Sequence, residues 1–475
     1  MLSGVLIPGF PSGGPLDLAR ATIYVPTQRA GAALAREFVA ASGTTSLILP
    51  RIAPLGAFEP TTDFGVFDAP HLPRLEARPA VGELTRRLTL ARLTRAWGEA
   101  LRGAIRRVDA HGRIAFDESE PPLVAASPAQ AFALAGDLAA LIDDMIIEGV
   151  AWERLDGLVA DAFDPYWRIT LDFLKIAVSA WPQWLAEHDL VDRATRAAQA
   201  VEKEIEALSA GVPRGPTIIA GSTGTNRATA RLIGAVARAP EGAVVLPDLD
   251  KDLDDHAWEM IGADRDSAGA GAGHPQAALR RLLDQIGVAR EDVKTLGAPP
   301  PALRARARFL SEALRPAEST HFWRRKRDDL GDAAIGEGLS GVALIVADNE
   351  NEEALALAVA MRGALETPGK TAALITPDPA IARRVAAELA RWGIEVENTA
   401  GRALGDTAGG VFARLVLAAT RDFSPLSLAA LLGHPLMRLG RAPDVLAAEA
   451  RALELSVLRL ILPPFGLDDI GAVGG

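Results

Sequence analysis

Residues 215–247 read GPTIIAGSTGTNRATARLIGAVARAPEGAVVLP, and residues 21–42 read ATIYVPTQRAGAALAREFVAAS. Each stretch opens with a short apolar run, Thr217–Ala220 in one and Ala21–Thr27 in the other. Each then passes a polar turn and continues with apolar residues at i, i+3 and i+4, the period of a helix packed on one face. That spacing predicts helices over Arg227–Arg238 and Gln28–Ala41. Further apolar runs at Ala243–Pro247 and Thr45–Ile52 supply the next strands, and Gly4–Gly9 (GVLIPG) an earlier one. A strand–helix–strand order implies right-handed crossovers and a parallel sheet. The fold class expected is α/β.

Between the two stretches the pattern changes. A Pro- and Phe-rich loop spans Pro54–Pro79, and from Gly82 to about Leu208 the sequence reads as helix almost without interruption. Ser127 followed by Pro128 is a helix start signal, and Pro182 predicts a kink. From Gly341 three apolar runs, GVALIVA, TAALITP and IEVEN, alternate with two helical patterns. The expected organisation is a first α/β domain in two parts, 1–80 and 213–298, interrupted by a helical insertion over 81–212. A basic, Pro-rich linker over 299–340 and a second α/β domain from 341 to 475 complete it; the tail reads as truncated.

Composition narrows the chemistry. The chain has 475 residues, 49% hydrophobic, a net charge of −11 and no cysteine. Disulfides, thiolate metal sites and a cysteine nucleophile are thereby excluded from this stretch. No secretory signal pattern and no apolar run of about 18 residues occurs, so a cytoplasmic location is expected. The acidic balance disfavours bulk attraction to nucleic acid, so such a role must rest on local basic patches.

A phosphate-binding P-loop needs two correctly spaced glycines followed by Lys and Ser/Thr between a strand and a helix. Gly9 and Gly14 have the separation, but Pro15 and Leu16 fill the Lys and hydroxyl positions. Gly369-Lys370-Thr371 lacks the upstream glycine and lies between a helix and a strand in the wrong order. Asp248, Asp250, Asp252, Asp254 and Asp255 alternate as in a calcium loop, without the Gly and terminal Glu that such a loop requires. They read as a solvated helix start, and neither a nucleophile elbow nor a zinc-protease motif occurs.

Two features favour nucleic acid. The turn Ala220–Ala228 opens a helix, where backbone N–H groups and the helix dipole suit an anion; it is either a tight connection or a phosphate contact. The run HFWRRKRDD places Trp323 beside Arg324, Arg325, Lys326 and Arg327. Aromatics interleaved with cations suit a single-strand groove, and the same run also reads as a solvated linker face.

Taken in order, ATIYVPTQRAGAALAREF, LILPRIAPLG, the 220–250 stretch, HPQAALRRLLDQIGV, the 364–404 stretch and LAALLGHPLMRLG resemble the alphaproteobacterial AddB family over essentially the whole chain. AddB is one subunit of the AddAB helicase–nuclease of double-strand break repair. The resemblance implies superfamily 1 helicase architecture: two RecA-like parallel-sheet domains, the first carrying a large helical insertion. It further implies an inactivated motor that handles DNA beside an AddA-type partner, which supplies ATP- and magnesium-dependent translocation. A C-terminal nuclease half with an iron–sulfur cluster is also implied; its cysteines do not occur here, so the chain resembles the N-terminal half. Pro379 departs from the family pattern, which has a basic residue there.

The expected activity is therefore DNA handling with no catalytic, cofactor or metal residue in this stretch. The expected contacts are Thr27, Gln28 and Arg29, then Ser222, Thr223, Gly224, Thr225 and Arg227, and finally Trp323, Arg324, Arg325, Lys326 and Arg327. Partners would be duplex ends and single strands, in an open groove between the two α/β domains, and no membrane. The alternative is a free-standing, doubly wound nucleotide- or sugar-binding enzyme with a pocket lined by perturbed carboxylates at a strand-end crevice.

Overall fold

The computed structural model describes residues 18–43, 48–55, 78–104, 107–108, 114–115, 125, 127–155, 164–211, 215–262, 270–399, 401, 403–422 and 424–459. The expected strand at Gly4–Gly9, the P-loop-like turn at Gly9–Leu16 and most of the Pro54–Pro79 loop lie outside them. The chain divides into two units, Met1–Gly341 and Val342–Gly475, each taken by itself below.

The first unit is built on a parallel sheet of β1 (Thr22–Val25), β2 (Arg51–Pro54), β5 (Thr217–Ala220) and β6 (Gly242–Val245), in the order β2-β1-β5-β6. A two-residue antiparallel pair, β3 (Arg107–Val108) and β4 (Ile114–Ala115), lies apart from it. Helix α1 (Gln28–Ser42) connects β1 to β2, and α7 (Arg227–Arg238) connects β5 to β6. Ile23 in β1 pairs with Ile52 on one side and Ile218 on the other, which fixes the register. Of the strand expected at Thr45–Ile52, Thr45–Leu47 lie outside the described residues, and in the described part the strand is Arg51–Pro54; pairing to β1, and not the apolar run alone, sets its extent there.

Successive strand residues face opposite sides of a sheet. Ile23, Val25 and Ile52 accordingly pack with Ile218 against Ala30, Leu34 and Phe38 of α1. Tyr24 and Ile219 pack the other way, against Leu232, Ile233 and Val236 of α7. Those three α7 side chains are wholly buried, so truncating Leu232 or Ile233 to Ala should cost about 2–5 kcal/mol.

The helical region comprises α2 (Glu83–Ala104), α3 (Pro128–Glu148), α4 (Asp164–Lys175), α5 (Trp181–Glu187) and α6 (Arg193–Ser209). Ser127 caps α3, its hydroxyl accepting from the Gln130 amide at 3.2 Å. A π-helical turn at Ile176–Ala180 sits directly before Trp181-Pro182, which accommodates the missing proline N–H without ending the helical run. Buried Arg86 ion-pairs with Asp143 at 2.8 Å and Asp192 at 3.0 Å, and Trp181 donates its indole N–H to Asp192 at 3.0 Å. Burial pushes the Asp192 carboxyl above its ordinary range against the pull of Arg86 and Trp181. Helix α6 closes on the sheet, where the Tyr24 hydroxyl donates to Glu204 Oε1 at 2.9 Å. The unit continues through α8 (Asp255–Met260), α9 (Ala277–Ile286), α10 (Pro301–Ala313), α11 (Trp323–Leu330) and α12 (Asp332–Gly338).

The second unit is helical: α13 (Glu350–Leu365), α14 (Pro379–Ala390), α15 (Ala408–Asp422), α16 (Pro425–Leu432) and α17 (Pro443–Leu453). Pro379, the departure from the family pattern, is the first residue of α14 and follows its Asp378 cap, where a fixed φ favours the helix. The three apolar runs expected as strands here are not in a described sheet. Leu374 and Ile394 pack against α13 and α14, while Leu344, Val346 and Ile375 are exposed. An apolar run carries the propensity to pair, but a strand also needs a bonded neighbour. The described chain is thus mostly helical, with one small parallel sheet.

Candidate nucleic-acid interface

In the order β2-β1-β5-β6 the chain leaves β1 toward one edge and β5 toward the other. With right-handed crossovers, α1 and α7 therefore lie on opposite faces, and the turns after β1 and β5 diverge from adjacent strand ends. This is a topological switch point, the place where open parallel sheets bind ligands. Sequence reasoning identified both turns but not that they are neighbours, because the pairing of β1 with β5 spans the whole helical region.

The β1 turn carries Thr27, Gln28 and Arg29, whose side chains are exposed. Thr27 is the N-cap of α1: its backbone is extended and its hydroxyl accepts from the Ala30 amide at 3.1 Å. The β5 turn carries Ser222, Thr223, Gly224 and Thr225, ending at Asn226, which caps α7 by accepting from the Thr229 amide at 2.8 Å. Gly224 has φ +63° and donates to the Ser222 hydroxyl at 3.3 Å. A Cβ there would meet Leu282 Cδ1 at 3.0 Å, so both conformation and packing against α9 require glycine. A Cβ on Gly221 would lie 3.6 Å from the Pro26 ring, which measures how closely the two turns approach.

No acidic residue occurs from Leu18 to Arg36 or from Leu208 to Pro240, in a chain with 61 Asp and Glu against 50 Lys and Arg. The switch point therefore presents hydroxyls and helix-start amides free of nearby sequence carboxylates, which suits an anion. Arg227 does not join them. Its guanidinium donates to the Gly149 carbonyl at 3.4 Å, at the C-terminal end of α3, where a cation complements the helix dipole. Arg231 pairs with Glu202 of α6. The α7 arginines tie the helical region to the sheet.

The basic run occupies α11 and is anchored to the acidic loop after β6. Arg315, with no exposed side-chain surface, reaches Asp254 at 2.5 Å and Glu312 at 2.9 Å. Lys326 reaches the same Asp254 at 2.8 Å. Asp254 also caps α8 through the Ala257 amide at 3.0 Å, and Asp250 accepts from Ser311 at 3.0 Å. The Arg315 hydrogen bond holds the Asp254 carboxyl well below the usual carboxylate range, assisted by Lys326 and opposed by partial burial. Arg315 is held firmly charged, since its bonds to Glu312 and Asp254 outweigh a burial cost that acts the other way. The acidic stretch is a helix start, as its sequence suggests, but it is paired rather than simply solvated. Arg315 was the residue sequence reasoning missed; no motif marks it, and only its burial among carboxylates reveals the role.

Trp323 is 47% exposed and donates its indole N–H to the Glu312 carbonyl at 2.9 Å, which fixes the ring. Arg324, Arg325 and Arg327 are exposed, with only a loose pair from Arg327 to Asp332 at 3.7 Å. Of the run's four cations, Lys326 is thus occupied within the fold and the arginines face outward.

Among the described residues no group of three or more His, Asp or Glu could hold a metal ion, and no helix is long and apolar enough to cross a membrane. An iron–sulfur cluster of the kind the resemblance implies has no thiolate ligand in this cysteine-free stretch. Among the described residues one cavity lies between α6, α7 and α9 around Arg231 and Gly234, and another between α2 and α3 around Arg86 and Asp143. Neither lies at the switch point. No family model matches the chain, and no curated protein matches it significantly.

Proposed function

We propose that the chain handles single-stranded DNA as the ATPase-silent, helicase-like portion of an AddB-type subunit, two RecA-like domains working beside an AddA-type motor in the cytoplasm to process double-strand ends for recombination. The observation that carries this reading is the meeting of Thr27–Arg29 with Ser222–Thr225 at the switch point, in the acid-free part of an acidic chain. Hydroxyls and helix-start amides bind phosphodiesters without reading bases, as a protein that moves along DNA requires. Arg324, Arg325 and Arg327 with Trp323 form a second contact of the kind that combines backbone cations with a stacking ring. ATP and magnesium belong to the motor subunit in this scheme, since Pro15 and Leu16 stand where Lys and a hydroxyl would be needed.

The rival, a small-molecule enzyme, calls for an enclosed strand-end pocket with shifted carboxylates. The shifted aspartates sit instead in the helical region, at Asp192, and in the α11 anchor, at Asp254. The test is equilibrium titration of the full chain with a labelled 20-nucleotide single strand and, separately, a fluorescent ATP analogue with magnesium. DNA should bind with no nucleotide present, and the analogue should not saturate. Saturable micromolar ATP binding with no DNA binding would overturn the proposal in favour of the rival.

A further inference from the structure

Helix α10 has an apolar row that nothing in the described structure covers. Leu303, Ala307, Leu310 and Leu314 follow one another at i, i+4, i+7 and i+11, a spacing that sets all four on one narrow stripe. Leu303, Leu310 and Leu314 are 50%, 46% and 51% exposed, and none joins a hydrophobic cluster of the unit. The helix packs against α12, and the adjoining row is buried at its C-terminal end, with Ser311 and Arg315 directed into the fold.

An alternating three- and four-residue spacing of leucines is the seam one helix offers another. Nucleic acid has no apolar complement to such a row, so the partner is protein. Charge narrows it further. Arg304 borders the stripe, Arg308 lies one turn further on the same side, and both are exposed, without an ion-pair partner among the described residues. Arg306, toward the other border, is held by the Gly338 carbonyl at 2.9 Å and the Ser340 carbonyl at 2.5 Å. The helix's one acidic residue, Glu312, is engaged with Arg315. A cationic helix disfavours pairing with the same helix of a second copy, where like charges would meet, and favours a helix with acidic edges.

We infer that this face of α10 is a docking surface for an acidic amphipathic helix of another protein, apolar along its seam and bearing Glu or Asp beside it. The inference does not depend on what the strand-end turns bind. Its test uses the full chain and three labelled probes, read by fluorescence anisotropy. Two are 21-residue helical peptides with leucine at the seam positions, one edged with Glu and one edged with Lys; the third is a single-stranded oligonucleotide.

The Glu-edged peptide should bind at least tenfold more tightly than the Lys-edged one. Leu303→Asp with Leu310→Asp should weaken it at least tenfold while leaving oligonucleotide binding unchanged. Arg304→Glu with Arg308→Glu, a pair at exposed positions that leaves the leucines in place, should invert the preference between the two peptides. Equal binding of the two peptides, or binding of neither, overturns the inference. So does loss of oligonucleotide binding in the leucine variant, which would assign the face to DNA. A dimer in sedimentation that the leucine variant dissociates would assign the face to a second copy, and that result overturns the inference as well.

Discussion

The strand-end turns and the α11 run are both regions where a sequence reader would look for phosphate contacts, and the fold treats them in opposite ways. The turns carry few formal charges, yet the switch point brings two of them together, with Thr27, Gln28, Arg29 and Thr225 exposed. The α11 run carries four adjacent cations, yet one is drawn into the pairs around Asp254 and Glu312. The difference teaches that a charge in the sequence counts as an available charge only after its intramolecular partners are known. It also separates two functions inside one patch, anchoring by Arg315 and Lys326 and presentation by Arg324, Arg325 and Arg327.

The sharpest way to break that division is to remove the anchor. Arg315→Ala leaves Asp254 and Glu312 facing each other's charge without their buried partner, and losing one member of a buried pair costs about 3–5 kcal/mol. Urea unfolding should show a loss of that size. A loss under about 1 kcal/mol would mean that α10 and α11 are held by something other than this cluster.

A smaller effect separates the presented cations from the anchored one. Each neutralised phosphate on a single strand contributes about −0.7 to the log–log salt slope, so the three outward arginines together contribute about −2. Arg324→Ala, Arg325→Ala and Arg327→Ala combined should flatten the slope by that amount, whereas Lys326→Ala should leave it unchanged. A slope that responds to Lys326 and not to the arginines would invert the assignment.

Acid gives the smallest effect. The Asp254 carboxyl is depressed in the folded state, so its contribution to stability is complete above the unfolded value of about 3.9 and is lost as pH falls through the folded value below that. The stability gap between the wild type and Asp254→Asn should be constant from about pH 7 to 5 and narrow below about pH 4. A gap that closes between pH 7 and 5 would contradict the Arg315 and Lys326 pairing.

How much of this was legible in the sequence follows from how local each feature is. Thr217–Ala220 and Arg227–Arg238 are found where the apolar period puts them, and Ser127-Pro128 starts its helix, because caps and periodicity act over a few residues. The extent of β2 was not legible, because hydrogen bonds to β1 decide it. GVALIVA and TAALITP show the limit most plainly: their composition is that of buried strands, but Leu344 and Ile375 are exposed and unpaired in the described structure. At the site, Thr27 and Ser222–Thr225 were recognisable as turn residues, while their adjacency depended on a pairing between residues almost 200 positions apart. The contact of Arg227 with the Gly149 carbonyl was not legible, because the two residues are 78 positions apart.

The proposed contact between the switch point and the DNA backbone is tested most directly by Thr225→Glu. Thr225 is exposed and lies just before the Asn226 cap, where an added carboxylate is tolerated or mildly stabilising for α7. The substitution therefore adds a negative charge to the proposed phosphate site while preserving the fold. Measured by anisotropy with the full chain and a 20-nucleotide single strand, affinity should fall at least tenfold, with the unfolding midpoint unchanged or slightly raised. Unchanged DNA affinity in a normally folded Thr225→Glu protein would contradict the account.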